Sequence, residues 1–428
     1  MMRTPTPMLE PPSFAHLATF GALTRAARSA ARGKVLSNET ARFLLDIEPE
    51  CLRLRDELHQ RTYAPQAYRT FTITDPKPRT ISAAAFRDRV VHHALCREIV
   101  PWLERDASPF SYACRLDGGQ QRALHQLQRH VQGGGWVLSL DIEHFFETLS
   151  HEVLGRLLAR RLRHDPDLIW LAMQFVKAGA PGSESGCGVP IGNLTSQHFS
   201  NFYLGPLDRF IQMTLRLPFV RYMDDLRVFG TSSTALWTAH SAIQRFVSER
   251  LALQLKSSVT RVSPVELGVP FLGFQVFGHM KPFDNVRRHR FVAQFRRANA
   301  LASSSDAQEE LQPRIQSLIG WAEQGSTRSL RQSVLVGRPT SPACVQGLTG
   351  SNRVNRGGSF NNDASNARAA NRNNNDPSNR NSNNGFRLAS TGNNGASAPA
   401  GTGSFTDDLA RTVPVHSPLN RYSRPPRS

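Results

Sequence analysis

The chain has 428 residues, room for two or three domains at about 100–200 residues each, and carries 52 Lys and Arg against 34 Asp and Glu, a formal charge of +18. Hydrophobic residues make up 39%, but no apolar run approaches the roughly 18 residues of a bilayer span, and no compact apolar stretch precedes a cleavage site, so neither an integral membrane protein nor an exported one is expected. Five scattered cysteines without a CxxC pair argue against a disulfide scaffold or a structural zinc site, and the positive charge points to a polyanion such as a nucleic-acid backbone, although the 47 Arg against five Lys are also what GC-rich coding yields.

In chain order, residues 14–32 and 38–60 have helical spacing of apolar positions, and 68–82 alternate as strands around a turn at Pro76 and Pro78. Residues 86–104 and 118–131 read as helices, and Gly133-Gly134-Gly135 breaks the chain before an apolar strand, Trp136 to Leu140. A helix over 150–178, a glycine-rich loop at 180–192 and a helix over 193–215 follow. Phe219 to Phe229 reads as a hairpin, Phe271 to Phe277 as a further strand, and 287–335 as two or three Arg-rich helices. The class is mixed α/β. Composition then shifts near residue 336. Fifteen Asn fall between Asn352 and Asn394, against five in all of the chain up to Ser351, and a segment so poor in aliphatics cannot bury a core.

Two acidic positions carry chemistry. Ser139-Leu140-Asp141-Ile142-Glu143-His144-Phe145-Phe146 delivers one Asp at the end of an apolar strand, which holds a carboxylate rigidly enough for a metal ligand. Phe219 to Val228 holds Asp224 and Asp225 side by side within an apolar hairpin, where adjacent carboxylates repel unless a cation compensates. Paired carboxylates with a distant third suit two Mg²⁺ ions about 3.5–4 Å apart, the clamp for in-line phosphoryl transfer. The simpler alternative is an Asp pair in a solvated turn. The apolar residues on both sides weaken it.

Tyr222-Met223-Asp224-Asp225 resembles the YxDD box of reverse transcriptases, and Asp141-Ile142-x-x-Phe145-Phe146 resembles their first palm motif. Between them lies Gly188-Val189-Pro190-Ile191-Gly192-Asn193-Leu194-Thr195-Ser196-Gln197, similar to the fourth motif of that family. Gly268-Val269-Pro270-Phe271-Leu272-Gly273-Phe274 resembles the FLG motif that follows. Upstream, Asp75-Pro76-Lys77-Pro78-Arg79-Thr80-Ile81 and Phe86-Arg87-Asp88-Arg89-Val90-Val91-His92-His93-Ala94-Leu95 resemble the fingers blocks. The order is that of the family over residues 14–335. Ile191 stands where retroviral and most group II intron enzymes have Gln. With Ser196-Gln197 and the FRDRVVHHAL block, this resembles the reverse transcriptases of diversity-generating retroelements; a retron- or intron-type enzyme is the alternative.

The resemblance implies a right-hand polymerase with N-terminal helices and fingers over 1–135, a palm over 136–280 and a helical thumb over 281–335, followed by a disordered Asn-rich tail over 336–428. It implies RNA-templated DNA synthesis, with Asp141, Asp224, Asp225 and the backbone carbonyl of Ile142 holding two Mg²⁺ ions. Lys77 and Arg79 would grip triphosphate oxygens, and Phe146 would be the steric gate against a ribose 2′-hydroxyl, with Phe145 in the core. Ile191, Gly192, Gln197 and Tyr222 would contact the nascent pair, and an aliphatic Ile191 would loosen geometric selection opposite adenines. Many relatives have a Lys in the sixth motif as proton donor to the leaving group. Val259 stands there in this sequence, with Lys256 three residues earlier. Implied partners are a template-repeat RNA, cDNA or primer, deoxynucleoside triphosphates and a small basic accessory protein, with no membrane, in the cytoplasm of a bacterium or phage-infected cell.

Within the tail, Arg353-Val354-Asn355-Arg356-Gly357-Gly358-Ser359-Phe360 and Asn384-Gly385-Phe386-Arg387-Leu388-Ala389 resemble the ends of variable regions in formylglycine-generating-enzyme-like target proteins. Asn is encoded only by AAT or AAC, so the segment implies adenine-rich RNA. A gene end overlapping the template repeat and translated in frame would give this pattern.

Overall fold

The computed structural model describes residues 10–33, 37–74, 78–179, 182, 184–301, 315–336, 353–355 and 373–375. The helix expected over 14–32 is two, α1 (Phe14–Leu17) and α2 (Phe20–Ala31), because Thr19 leaves helical geometry and its hydroxyl accepts from the Ala22 amide at 3.2 Å. Asp46 likewise separates α3 (Asn38–Leu45) from α4 (Ile47–His59). Strands β1 (Arg69–Ile73) and β2 (Arg79–Ala83) pair antiparallel. Helices α5 (Phe86–Glu104) and α6 (Gln120–Gln132) precede β3 (Trp136–Leu140) and the single turn α7 (Phe145–Thr148). The helix expected over 150–178 divides into α8 (His151–Arg161) and α9 (Pro166–Lys177). Asp165 caps the second by accepting from the amides of Asp167 and Leu168 at 3.1 Å each, and Pro166 takes the first helical position.

Helix α10 (Leu194–Arg209) runs into a π turn, Phe210–Leu215, which a left-handed Arg216 ends. Strands β4 (Phe219–Tyr222) and β5 (Asp225–Gly230) form the expected hairpin. Helix α11 (Ser233–Leu251) and strand β6 (Arg261–Pro264) follow, two elements the sequence did not disclose. The single strand expected over 271–277 is instead a hairpin of β7 (Val269–Phe271) and β8 (Phe274–Val276). Leu272 and Gly273 both have positive φ between them, as a type I′ turn requires. Helices α12 (Asn285–Leu301), α13 (315–322) and α14 (Arg328–Val336) complete the main body. In the tail, β9 (Arg353–Asn355) pairs antiparallel with β10 (Asn373–Asn375). The expected disorder of 336–428 otherwise falls outside the described residues.

The central sheet has the order β4-β5-β3-β6, with every neighbouring pair antiparallel. Its two faces are both covered, and the period of two sorts the side chains between them. Leu138, Leu140, Leu226, Val228 and Phe219 join the larger core with α5 and α8–α11. Val137, Val220 and Phe229 join a second core with α6, the β7–β8 hairpin and Trp321 of α13. Trp321 stacks on Phe283 at 4.5 Å, with the Arg287 guanidinium 4.2 Å over its ring, which docks α13 on that face.

Segments far apart in sequence meet through buried polar contacts. His92 of α5 is 2% exposed, stacks on Phe175 of α9 at 3.9 Å between centroids, and has its Nδ1 3.0 Å from the hydroxyl of Thr195 on α10. The Ser82 amide of β2 donates to the Ile191 carbonyl at 2.9 Å, fastening the β1–β2 hairpin to the loop before α10. Burial, with help from Arg89, pushes the His92 imidazole down to about 3, so it is neutral at pH 7.

The unfolded chain, with a histidine titrating near 6.5, takes up a proton that the folded state refuses, so this contribution is complete above that pH and is lost as pH falls toward 3. We expect wild type to lose about 2 kcal/mol between pH 6.5 and 5 relative to a His92→Gln variant, which does not titrate there. Thermal melts of both proteins across that range would show the curves converging; parallel curves would remove His92 from the acid response.

Candidate active site

The site is built at one end of the central sheet. Strand β3 ends at Leu140 opposite Leu226, so Asp141 leaves the sheet beside the turn that joins β4 to β5. That turn has Met223 and Asp224 at its two central positions, with Tyr222 paired to Asp225. Met223 has φ +57°, a left-handed conformation costly for a residue with a side chain and worth about 1–3 kcal/mol of strain. The cost is met locally. Arg221, 1% exposed, makes a bidentate ion pair to Asp208 of α10, with Nε and Nη2 both at 2.6 Å from the carboxylate oxygens. Its Nη1 donates to the Met223 carbonyl at 2.9 Å and to the Asn201 side-chain oxygen at 3.1 Å.

The three acids stand close enough to feel one another. Burial, then the charges of Asp141 and Asp225, push the Asp224 carboxyl up to about 6. Burial also raises the Asp225 carboxyl, against the pull of Arg227, with which it makes an ion pair. Among the described residues, no three His, Cys, Asp or Glu side chains converge as a ready-made metal cage. The donor set nevertheless fits a hard divalent cation. It consists of half-buried carboxylate oxygens that repel one another, with Arg227 paired to Asp225 and Arg79 near Asp224 as their nearby positive charges.

Around this cluster the other expected positions fall as follows. Arg79, at the start of β2, is near enough to draw the Asp224 carboxyl downward, whereas Lys77 lies outside the described residues. Ile142 is 5% exposed and bridges to Leu255; the adjacent Lys256 amide donates to the Asp141 carbonyl at 2.9 Å, so the segment carrying Lys256 runs beside the first acid. Phe146 is partly buried on α7, and its carbonyl accepts from the Val189 amide at 2.7 Å, which sets it beside the loop that ends in Ile191 and Gly192. Phe145 is 2% exposed and lies in the core. Gln197 accepts a hydrogen bond from the Cys114 thiol at 3.1 Å, and the same thiol lies close to Tyr222, whose phenol burial pushes up. Gln197 and Tyr222 are therefore neighbours across Cys114.

Sequence reasoning missed Asp208, Asn201, Arg221 and Arg227, which hold the acidic turn. The available signal was the pair of arginines three residues either side of Asp224 in an otherwise apolar hairpin.

Residues 74–276 match the family described as reverse transcriptase (RNA-dependent DNA polymerase), and residues 315–391 match the sulfatase-modifying factor enzyme 1-like domain. Protein YkfC of Escherichia coli (strain K12) is 25% identical over 297 residues, covering 58% of this chain and 77% of that protein. The group II intron-encoded protein LtrA of Lactococcus lactis subsp. cremoris is 25% identical over 181 residues, 41% of this chain and 30% of LtrA. Among solved structures, telomerase from Candida albicans in complex with a TWJ fragment of telomeric RNA aligns with a TM-score of 0.41 at 10% identity, covering 67% of this chain and 59% of that one. Residues 74–276 form a reverse-transcriptase-like domain, distantly related to the group II intron-encoded proteins.

Proposed function

We propose that the chain is an RNA-directed DNA polymerase of the group II intron or retron kind, adding deoxynucleotides to a primer 3′-hydroxyl along an RNA template. The observation that carries this reading is the gathering of Asp141, Asp224 and Asp225 at one sheet end within electrostatic reach of Arg79. Residues 1–135 are assigned as N-terminal helices and fingers, 136–280 as palm and 281–335 as thumb. Asp141, Asp224 and Asp225, with the Ile142 carbonyl, would hold two Mg²⁺ ions, which when bound lower the pKa of the primer hydroxyl and neutralise the triphosphate. Arg79 and Lys77 bind triphosphate oxygens, Phe146 fills the space of a 2′-hydroxyl, and Ile191, Gly192, Gln197 and Tyr222 line the nascent pair. Among the described residues no helix is long and apolar enough to cross a membrane. The polymerase reading itself implies a cytoplasmic enzyme, bacterial or phage-encoded.

The match of residues 315–391 to the sulfatase-modifying factor enzyme 1-like domain, which begins within the residues assigned to the thumb and runs through most of the Asn-rich segment, supports a second reading. In it the enzyme belongs to a diversity-generating retroelement, copies a template-repeat RNA with errors at adenines and works with a small basic accessory protein. Ile191 would then be the residue that loosens selection, because an aliphatic side chain offers no hydrogen bond to the nascent pair.

Three outcomes test these roles. Asp224→Asn or Asp225→Asn should lower Mg²⁺-dependent cDNA synthesis more than about a thousandfold, the effect of about 4 kcal/mol of lost transition-state stabilisation, while RNA binding stays intact. Near-normal extension by either variant would sink the metal assignment. Phe146→Val should admit ribonucleotides in primer extension; unchanged discrimination would return Phe146 to a packing role. In cDNA made from an Asn-codon-rich template with the accessory protein present, misincorporation should concentrate opposite adenines, and Ile191→Gln should reduce it by about tenfold, the worth of one buried hydrogen bond. Errors spread evenly over four bases would leave only the intron or retron reading.

A further inference from the structure

Arg227 lies on β5 opposite Ser139 of β3, on the sheet face that carries the β7–β8 hairpin, and its side chain is only 7% exposed. Its Nη1 pairs with the Asp225 carboxylate and donates to the Leu226 carbonyl at 2.9 Å. Its Nε and Nη2 both donate to the Pro270 carbonyl of β7, at 3.2 and 2.7 Å, and the guanidinium lies 5.4 Å over the Phe271 ring. One planar group thus joins a carboxylate of the acidic turn to a hairpin that shares no ladder with the central sheet. A lysine could satisfy one of these directions, not all of them.

We propose that Arg227 is a positioning residue that serves as the resident counter-ion of Asp225 and braces the β7–β8 hairpin against the acidic turn, coupling cation occupancy of the turn to the seating of that hairpin. Where it concerns the cation, the proposal rests on the polymerase reading. Arg227 engages the Asp225 carboxylate that a dication would use, so the two compete for it. A dication at Asp225 weakens the Nη1 contact that fixes the guanidinium, and so loosens its hold on the Pro270 carbonyl. By reciprocity, a hairpin that is firmly seated through Pro270 keeps Arg227 against Asp225 and weakens cation binding.

The test uses the full chain as Arg227→Leu and Arg227→Lys, with two readouts that do not depend on polymerase activity. In cation-free protein, amide hydrogen exchange of Phe271 and Gln275 should accelerate about tenfold or more in both variants, as expected for loss of a charge-assisted contact. In a Mn²⁺ titration followed by electron paramagnetic resonance, Arg227→Leu should bind about tenfold more tightly than wild type, with Arg227→Lys between them. Faster exchange with unchanged Mn²⁺ affinity would overturn the coupling and leave a structural brace. Unchanged exchange would overturn the brace itself. If the Leu variant does not fold, the Lys variant carries both readouts. Absence of Mn²⁺ binding and of primer extension in wild type would sink the polymerase reading, while the cation-free exchange result would still judge the brace.

Discussion

The bidentate pair between Arg221 and Asp208 is the interaction on which the site depends. The turn that presents Asp224 needs Met223 in a left-handed conformation, and nothing about methionine favours it. What holds it there is the Met223 carbonyl bound by a guanidinium whose other edge is locked to α10. Removing one partner of such a pair strands a buried charge, a loss of about 3–5 kcal/mol in comparable settings. The pair therefore specifies a geometry more than it adds stability. Through it the acidic turn is referenced to a helix and not to a loop.

That helix is also where distant segments are brought into register. Thr195 meets His92 of α5, Gln197 meets Cys114, Asn201 donates to the Ala113 carbonyl at 2.7 Å, and Asp208 meets Arg221. The loop before it takes the Ser82 amide of β2 through the Ile191 carbonyl. A displacement of α10 would thus be felt at the β1–β2 hairpin, at the loop over 111–115 and at the acidic turn together. The loop that ends in Ile191 and Gly192 leads directly into this helix, so its position is tied to the same contacts.

Much of this was legible in the residues. Asp141 could be read because an apolar strand ends on it, and Asp224 with Asp225 because carboxylates inside an apolar hairpin have no cheap structural explanation. Helix α5 and strand β3 were placed to the residue, since α5 is broken by the loop segments on either side and three glycines precede β3. The roles of Arg221 and Arg227 were not legible. A period of two says that 225 and 227 share a face, but not that a separate hairpin will cover that face and offer a carbonyl. The β7–β8 turn was missed for a related reason. Gly273 invites a positive φ, but Leu272 beside it does not, and only the finished packing imposes that conformation.

The short sequence distance between Asp208 and Arg221 bears on the order of assembly. Asp208, Arg221 and Met223 lie within one continuous stretch, so the contacts that shape the turn close only a small loop, and small loops close early. Asp141 comes from a strand far upstream and must find β5 across a long intervening chain. During synthesis, then, the left-handed turn can be set as soon as α10 and the β4–β5 hairpin have emerged, with β3 docking onto a surface already shaped to receive it. Asp141 then joins Asp224 and Asp225 on a scaffold already able to bear their repulsion.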